Sequence, residues 1–129
     1  MRPSPSEVVA GIRAILAETI APELTSEHAR SRLAEIRAVL AQIDWDDAGF
    51  TLASRSDELA RCLGAAGECI DGVSVPGRPS VANFESYQRH YDQLAGLAVE
   101  VLRRLRVHLD ERPDDEAARA AYRTLLTAV

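Results

Sequence analysis

The feature that most constrains this chain is a regular apolar repeat in its C-terminal half. From residue 84 to residue 105, apolar side chains recur at alternating steps of three and four residues. This spacing places them along one side of an α-helix, whereas strand residues face the same side at every second position. Ser80 can cap the helix, and Pro113 should stop it near Glu111. Its predicted inner line comprises Phe84, Tyr87, Tyr91, Leu94, Ala98, Val101 and Leu105.

Helical periodicity also appears in four other segments, the third being the weakest. They cover about residues 6–21, 26–43 and 51–66, and a last helix follows Pro113. Pro22 should end or kink the first helix, because proline lacks a backbone N–H. Residues 54–57 resemble a capping box at the start of the third helix. The predicted buried stripes are Val8, Ile12, Ile15 or Leu16, and Ile20 in the first helix, and Ala29, Leu33, Ile36, Leu40 and Ile43 in the second.

The chain length of 129 residues fits one domain, so we expect a single domain over residues 1–129 with an internal Gly/Pro-rich loop at 67–80. The patterns predict an all-α fold, an antiparallel bundle of four to five helices. At 1.5 Å per residue, the fourth helix would span about 42 Å and outrun the others as a spine. Any apolar stripe left uncovered must then meet another chain, so we expect a homodimer.

Composition excludes several function classes. A formal net charge of -5 opposes nucleic-acid binding, which requires the protein to neutralise phosphates. All 15 basic residues are arginine, a bias typical of a GC-rich bacterium, and this excludes lysine-based Schiff-base chemistry. No stretch approaches the length of a membrane helix, and the N-terminus does not resemble a signal peptide. Cys62 and Cys69 are spaced like neither a zinc pair nor a redox motif, so we expect reduced thiols and a cytoplasmic location.

The aromatic residues suggest one candidate binding site. Tyr87 and Tyr91 share a helix face, and with Trp45 and Phe84 they could line an interhelical ligand pocket. Alternatively, the tyrosines are core residues whose hydroxyls reach the rim. By the same periodicity, Arg89 and His90 point away from the tyrosine face, so these side chains do not converge on a catalytic centre.

A basic patch on the fourth helix is a second candidate. Arg103, Arg104 and Arg106 could bind a phosphate or the acidic face of a partner. Alternatively, they form surface pairs at four-residue spacing, for which Glu100 and Asp110 are available.

No motif indicates catalysis, a cofactor or a metal. The chain contains neither a nucleophile elbow nor a phosphate-binding or dinucleotide-binding glycine pattern. The acidic turn at 44–49 places Gly49 where a calcium loop would have glycine, but Arg55 occupies the position of the chelating glutamate. None of the three histidines has the spacing of a zinc or di-iron site. We therefore predict no cofactor, no metal and no catalytic residue, and lean against an enzyme.

The opening of the chain shows a helix–proline–helix pattern over residues 2–40. Its residues are Arg2-Pro3-Ser4, Glu7-Val8-Val9, Ile12, Ile15-Leu16, Glu18 and Ala21-Pro22-Glu23-Leu24. The pattern resembles a small bacterial all-helical domain found beside aminoglycoside-phosphotransferase-like proteins and acyl-CoA dehydrogenases. The loop at 67–80 and the long fourth helix depart from it. That family has no assigned catalytic residues, and the resemblance implies an accessory or interaction role.

Together these features predict a cytoplasmic helical bundle that acts through protein contacts, as a homodimer or as an accessory subunit. The alternative is a bundle that binds a small molecule near Tyr87 and Tyr91, either as a binding protein or as an enzyme. A transcriptional regulator without its DNA-reading part is a third hypothesis, which the acidic balance disfavours.

Overall fold

The computed structural model describes residues 2–129, which form five α-helices and no strand. The helices are α1 (Pro5–Ile15), α2 (Glu27–Gln42), α3 (Phe50–Gly67), α4 (Phe84–Glu111) and α5 (Glu116–Ala128). The prediction of an all-α fold is therefore confirmed. None of the described helices combines the length and the apolar content needed to cross a bilayer.

The chain divides into two compact units. The N-terminal unit ends at Ala48 and contains α1 and α2. The C-terminal unit covers Gly49–Val129 and contains α3, α4 and α5. A single domain over residues 1–129 stays a prediction.

The C-terminal unit is a bundle in which α3, α4 and α5 all pack against one another. Removing this apolar surface from water is the main favourable contribution to its folding. A four-residue connection at 112–115 lets α5 fold back along α4. The buried core consists of Leu59, Cys62, Leu63 and Ala66 from α3, Leu94, Ala98, Val101 and Leu105 from α4, and Ala118, Ala121 and Leu125 from α5.

Helix α4 is the predicted spine, an uninterrupted helix of 28 residues that ends at Glu111. Its start differs from the prediction. Asn83 rather than Ser80 caps the helix, because the Asn83 side-chain oxygen accepts a hydrogen bond from the backbone N–H of Ser86 at 2.8 Å.

The first turns of α4 also bury different residues from those predicted. Phe84 is 63% exposed, whereas His90 is only 5% exposed. Tyr87 and Tyr91 are half-buried. The buried line thus continues from Leu94 back to His90, so a residue that was predicted to point away from the tyrosine face belongs to the interior. His90 lies beside loop residues 77–81, which border a pocket with this part of α4.

The N-terminal unit begins with a complete capping box. The Ser4 hydroxyl accepts from the Glu7 backbone N–H, and the Glu7 carboxylate accepts from the Ser4 N–H at 2.9 Å. The regular α-helix ends at Ile15, earlier than predicted. The chain then forms a π-helical turn, Leu16–Ile20, and a 3-10 turn, Ala21–Glu23. Pro22 explains the change, because it has no N–H to donate and its ring crowds the preceding turn.

Helix α3 begins at Phe50, directly after Gly49, whose φ of 89° is a left-handed conformation that glycine adopts without strain. The predicted capping box at residues 54–57 is wrong. Ser56 lies inside the helix and is fully buried, and its hydroxyl donates to the Leu52 carbonyl at 2.8 Å. Helix α3 also continues past Gly64, as far as Gly67.

The Gly/Pro-rich loop at 67–80 is bound to the bundle at two points. Arg78 forms two hydrogen bonds with the Asp57 carboxylate on α3, at 3.1 and 2.8 Å. Arg104 on α4 donates to the backbone carbonyl of Asp71. Between these points Val73 and Val75 pack against the core, so the loop covers part of the bundle.

Candidate functional site

The most unusual feature of the N-terminal unit is the number of aliphatic side chains that it leaves in solvent. Seven branched residues on or next to α1 and α2 are 40–56% exposed. Within α1 and α2 they follow at steps of three and four residues, which places them along stripes of the helices, and Ile20 follows Ile15 at the end of the π-helical turn. We call them the hairpin aliphatics: Val8, Ile12, Ile15, Ile20, Ile36, Val39 and Ile43.

The interior of the N-terminal unit is correspondingly small. Leu33 is its one buried side chain among the described residues, and Ala29 and Leu40 are half-buried. The sequence predicted that Ile15 or Leu16 would be buried, and Leu16 is half-buried. The prediction is wrong for the other members of the stripe, Val8, Ile12 and Ile20, and for Ile36 and Ile43. In this unit α1 packs against α2 alone, and two helices cannot cover every apolar side chain that they carry.

Two hydrogen bonds join the ends of the helical hairpin formed by α1 and α2. The Asp46 carboxylate accepts from the Ser6 backbone N–H at 3.0 Å and from the Ser6 hydroxyl at 2.5 Å. These bonds lower the pKa of Asp46, because both stabilise the ionised carboxylate. The turn after α2 is thereby bound to the first turn of α1.

Trp45 completes the end of α2. Its indole N–H donates to the Leu40 carbonyl at 2.8 Å, which satisfies an acceptor in the last turn of the helix. The side chain is half-buried. Trp45 thus has a structural role within the N-terminal unit.

The charges around the hairpin aliphatics balance. Residues 2–43 contain five arginines and five glutamates. The Nε atoms of Arg13 and Arg37 are buried without a hydrogen-bond partner in the part of the chain that the structure describes. Because arginine and glutamate are equal in number over residues 2–43, a second copy of this segment adds no net charge; the three aspartates of the unit lie in the turn beyond Ile43.

The predicted aromatic pocket involves residues from both units. Trp45 belongs to the N-terminal unit, whereas Phe84, Tyr87 and Tyr91 belong to α4 in the C-terminal unit. Tyr91 packs against the bundle core, as a core tyrosine would, while Phe84 is largely in solvent. A ligand pocket formed by these four aromatics stays a prediction.

The three arginines of the predicted basic patch have different surroundings. Arg103 and Arg106 are exposed, and Arg104 is half-buried. Arg104 binds the loop carbonyl of Asp71, and it forms no ion pair with Glu100 among residues 2–129. Binding of a phosphate or an acidic partner by Arg103, Arg104 and Arg106 stays a prediction.

The end of α4 is joined to the start of α5 by a contact that the sequence patterns did not show. The Asp115 carboxylate caps α5 by accepting from the Ala118 N–H at 3.0 Å, and it lies 2.7 Å from the Nε2 atom of His108. The His108 contact and then the helix cap lower the pKa of Asp115. This cluster fixes the connection between α4 and α5.

The two thiols are poorly suited to nucleophilic chemistry. Burial raises the pKa of Cys62 and of Cys69, and the nearby Glu58 carboxylate raises that of Cys62 further. Within residues 2–129, no three His, Cys, Asp or Glu side chains are placed to hold a metal ion.

No protein-family model, curated protein or solved structure matches this chain.

Proposed function

We propose that this protein acts through protein–protein contacts, and that its hairpin aliphatics bind the same residues of a second copy. The observation that carries the proposal is the exposure of seven branched aliphatic side chains in a unit whose described residues include one buried side chain, Leu33. Large clusters of exposed apolar side chains typically mark interaction sites. Burying a valine or isoleucine is worth about 1.5–3 kcal/mol.

A second copy is the occupant that fits the chemistry best. Two helical hairpins related by a two-fold axis can form a four-helix arrangement in which each supplies the missing apolar cover. The equal numbers of arginine and glutamate in residues 2–43 let identical surfaces meet without net repulsion. A strongly acidic or basic partner would find no complementary excess of charge there.

The proposal includes a cytoplasmic location in a bacterium. The arginine-only basic composition supports the bacterial assignment. Both cysteines are free thiols, as expected in a reducing compartment. Residues 2–40 resemble a domain found beside enzymes. The proposed protein contacts could therefore also be those of an accessory subunit with an enzyme.

Sedimentation of two valine variants tests the proposal. Val39 on α2 and Val99 on α4 are matched, since both are helical and they are 55% and 53% exposed. We expect a wild-type dimer at micromolar concentration and a dimer dissociation constant at least about 30-fold higher for Val39→Glu, because a charge would enter the apolar interface. Val99→Glu should sediment like the wild type.

Two results would overturn the self-association. One is a wild-type monomer at every concentration up to about 100 µM, roughly a hundredfold above the micromolar range in which specific dimers commonly form. The other is equal dissociation by Val39→Glu and Val99→Glu, which would place the contact outside the hairpin.

A further inference from the structure

The C-terminal unit contains a pocket that is independent of the hairpin aliphatics. It has a volume of about 350 Å³ and lies between loop residues 77–81 and the first turns of α4. From α4 it is lined by Ser86, Arg89, His90 and Gln93. These positions are spaced 3, 1 and 3 residues apart, which places them on one side of the helix.

His90 is the unusual residue of this pocket. It continues the buried line of Leu94 and Ala98, where an apolar side chain would be expected, and it is only 5% exposed. No side chain or backbone group of residues 2–129 forms a hydrogen bond with its ring nitrogens, and these nitrogens are not among the fully buried atoms that lack a partner. The ring therefore keeps hydrogen-bonding capacity for a molecule in the pocket that it lines.

The other polar side chains of the pocket also have hydrogen-bonding capacity to spare. The hydroxyls of Ser80 and Ser86 and the amide of Gln93 have no hydrogen-bond partner among residues 2–129. Arg89 uses one terminal nitrogen to bind Glu85 at 2.9 Å. Since a guanidinium carries five N–H groups, others remain available.

The lining contains one permanent cation and several hydrogen-bond donors, but no carboxylate. A cationic ligand would find no opposite charge in it. We propose that this pocket binds a small oxyanion, the phosphate or carboxylate group of a small molecule, with His90 and Arg89 as its principal donors. Charge-assisted hydrogen bonds from a guanidinium such as that of Arg89 are stronger than neutral ones.

Histidine-ring NMR of the full-length protein, titrated at constant ionic strength, tests this inference. The probes are inorganic phosphate and acetate, with chloride as the reference anion. We expect a saturable shift of the His90 ring signals with at least one oxyanion, while those of the exposed His28 stay unchanged. No shift with either probe, or equal shifts of His90 and His28, would overturn the proposal.

Variants then separate binding from folding. His90→Leu should be at least as stable as the wild type, since it extends the apolar line, and should weaken oxyanion binding at least about tenfold in calorimetry. Arg89→Gln should also weaken binding, whereas Arg106→Gln makes the same charge change on an exposed part of α4 and should not. Undiminished affinity of Arg89→Gln, or equal loss in Arg106→Gln, would contradict the site even if His90→Leu failed to fold.

Discussion

Ser6 and Asp46 are 40 residues apart in sequence, yet Ser6 donates both its backbone N–H and its hydroxyl to the Asp46 carboxylate, at 3.0 and 2.5 Å. This pair holds the first turn of α1 against the turn that follows α2. It fixes the helical hairpin that carries the exposed aliphatic residues, so its chemistry should control the stability of the N-terminal unit.

The Ser6–Asp46 pair predicts a loss of stability in acid. The Ser6 hydrogen bonds lower the pKa of Asp46, so its stabilising contribution is complete above the ordinary aspartate pKa of about 3.9 and disappears as the pH falls through the lowered value. Fluorescence of Trp45, the single tryptophan, should report this change in the N-terminal unit below about pH 4.

Asp46→Asn should reduce that acid-dependent change, because asparagine cannot ionise. Asp110→Asn, on the exposed side of α4, is the matched control and should retain the wild-type profile. An unchanged profile in Asp46→Asn would show that other carboxylates control the acid response of this unit.

The bundle core predicts a large difference between two leucines. Leu94 is fully buried, whereas Leu126 on α5 is 55% exposed. Leu94→Ala should lower the free energy of unfolding by about 2–5 kcal/mol, because it removes buried methyl groups and leaves a cavity. Leu126→Ala should change it by less than about 0.5 kcal/mol. Urea denaturation followed by circular dichroism measures both, and similar losses would contradict the assigned core.

The thiols should react slowly in the native protein. Cys62 is buried in the core and Cys69 only partly, and burial raises the pKa of both. With a colorimetric disulfide reagent at neutral pH, Cys69 should therefore react before Cys62, and Cys62 should require unfolding. Cys69→Ser should abolish the faster phase. Rapid modification of Cys62 in folded protein would contradict its position in the core.

Periodicity predicted the helices well where helices pack on helices. The inner line from Leu94 to Leu105 and the end of α4 at Glu111 were predicted correctly, because two regular α3 and α5 partners cover that region. The start of α4 was predicted incorrectly. There a loop rather than a helix lies beside His90, and the spacing of apolar residues does not show which neighbour a helix packs against.

The exposed surface of α1 and α2 shows a second limit of pattern reasoning. The sequence identified the apolar faces of both helices, and it indicated that an uncovered stripe would need another chain. It assigned Val8 and Ile12 to the interior, since a periodic pattern shows which side is apolar but not whether the same chain covers it. The contacts of Asp46 and Arg104 link distant residues and left no local signal.

Hydrogen–deuterium exchange of the wild-type protein at two concentrations tests the central claim most directly. If α1 and α2 pair with a second copy, their amides should gain protection when the concentration rises from about 0.1 to about 50 µM, across the range in which a micromolar dimer assembles. Amides of α3, α4 and α5 should exchange at the same rates at both concentrations. Concentration-independent exchange in α1 and α2, or protection gained in the C-terminal unit instead, would contradict the account.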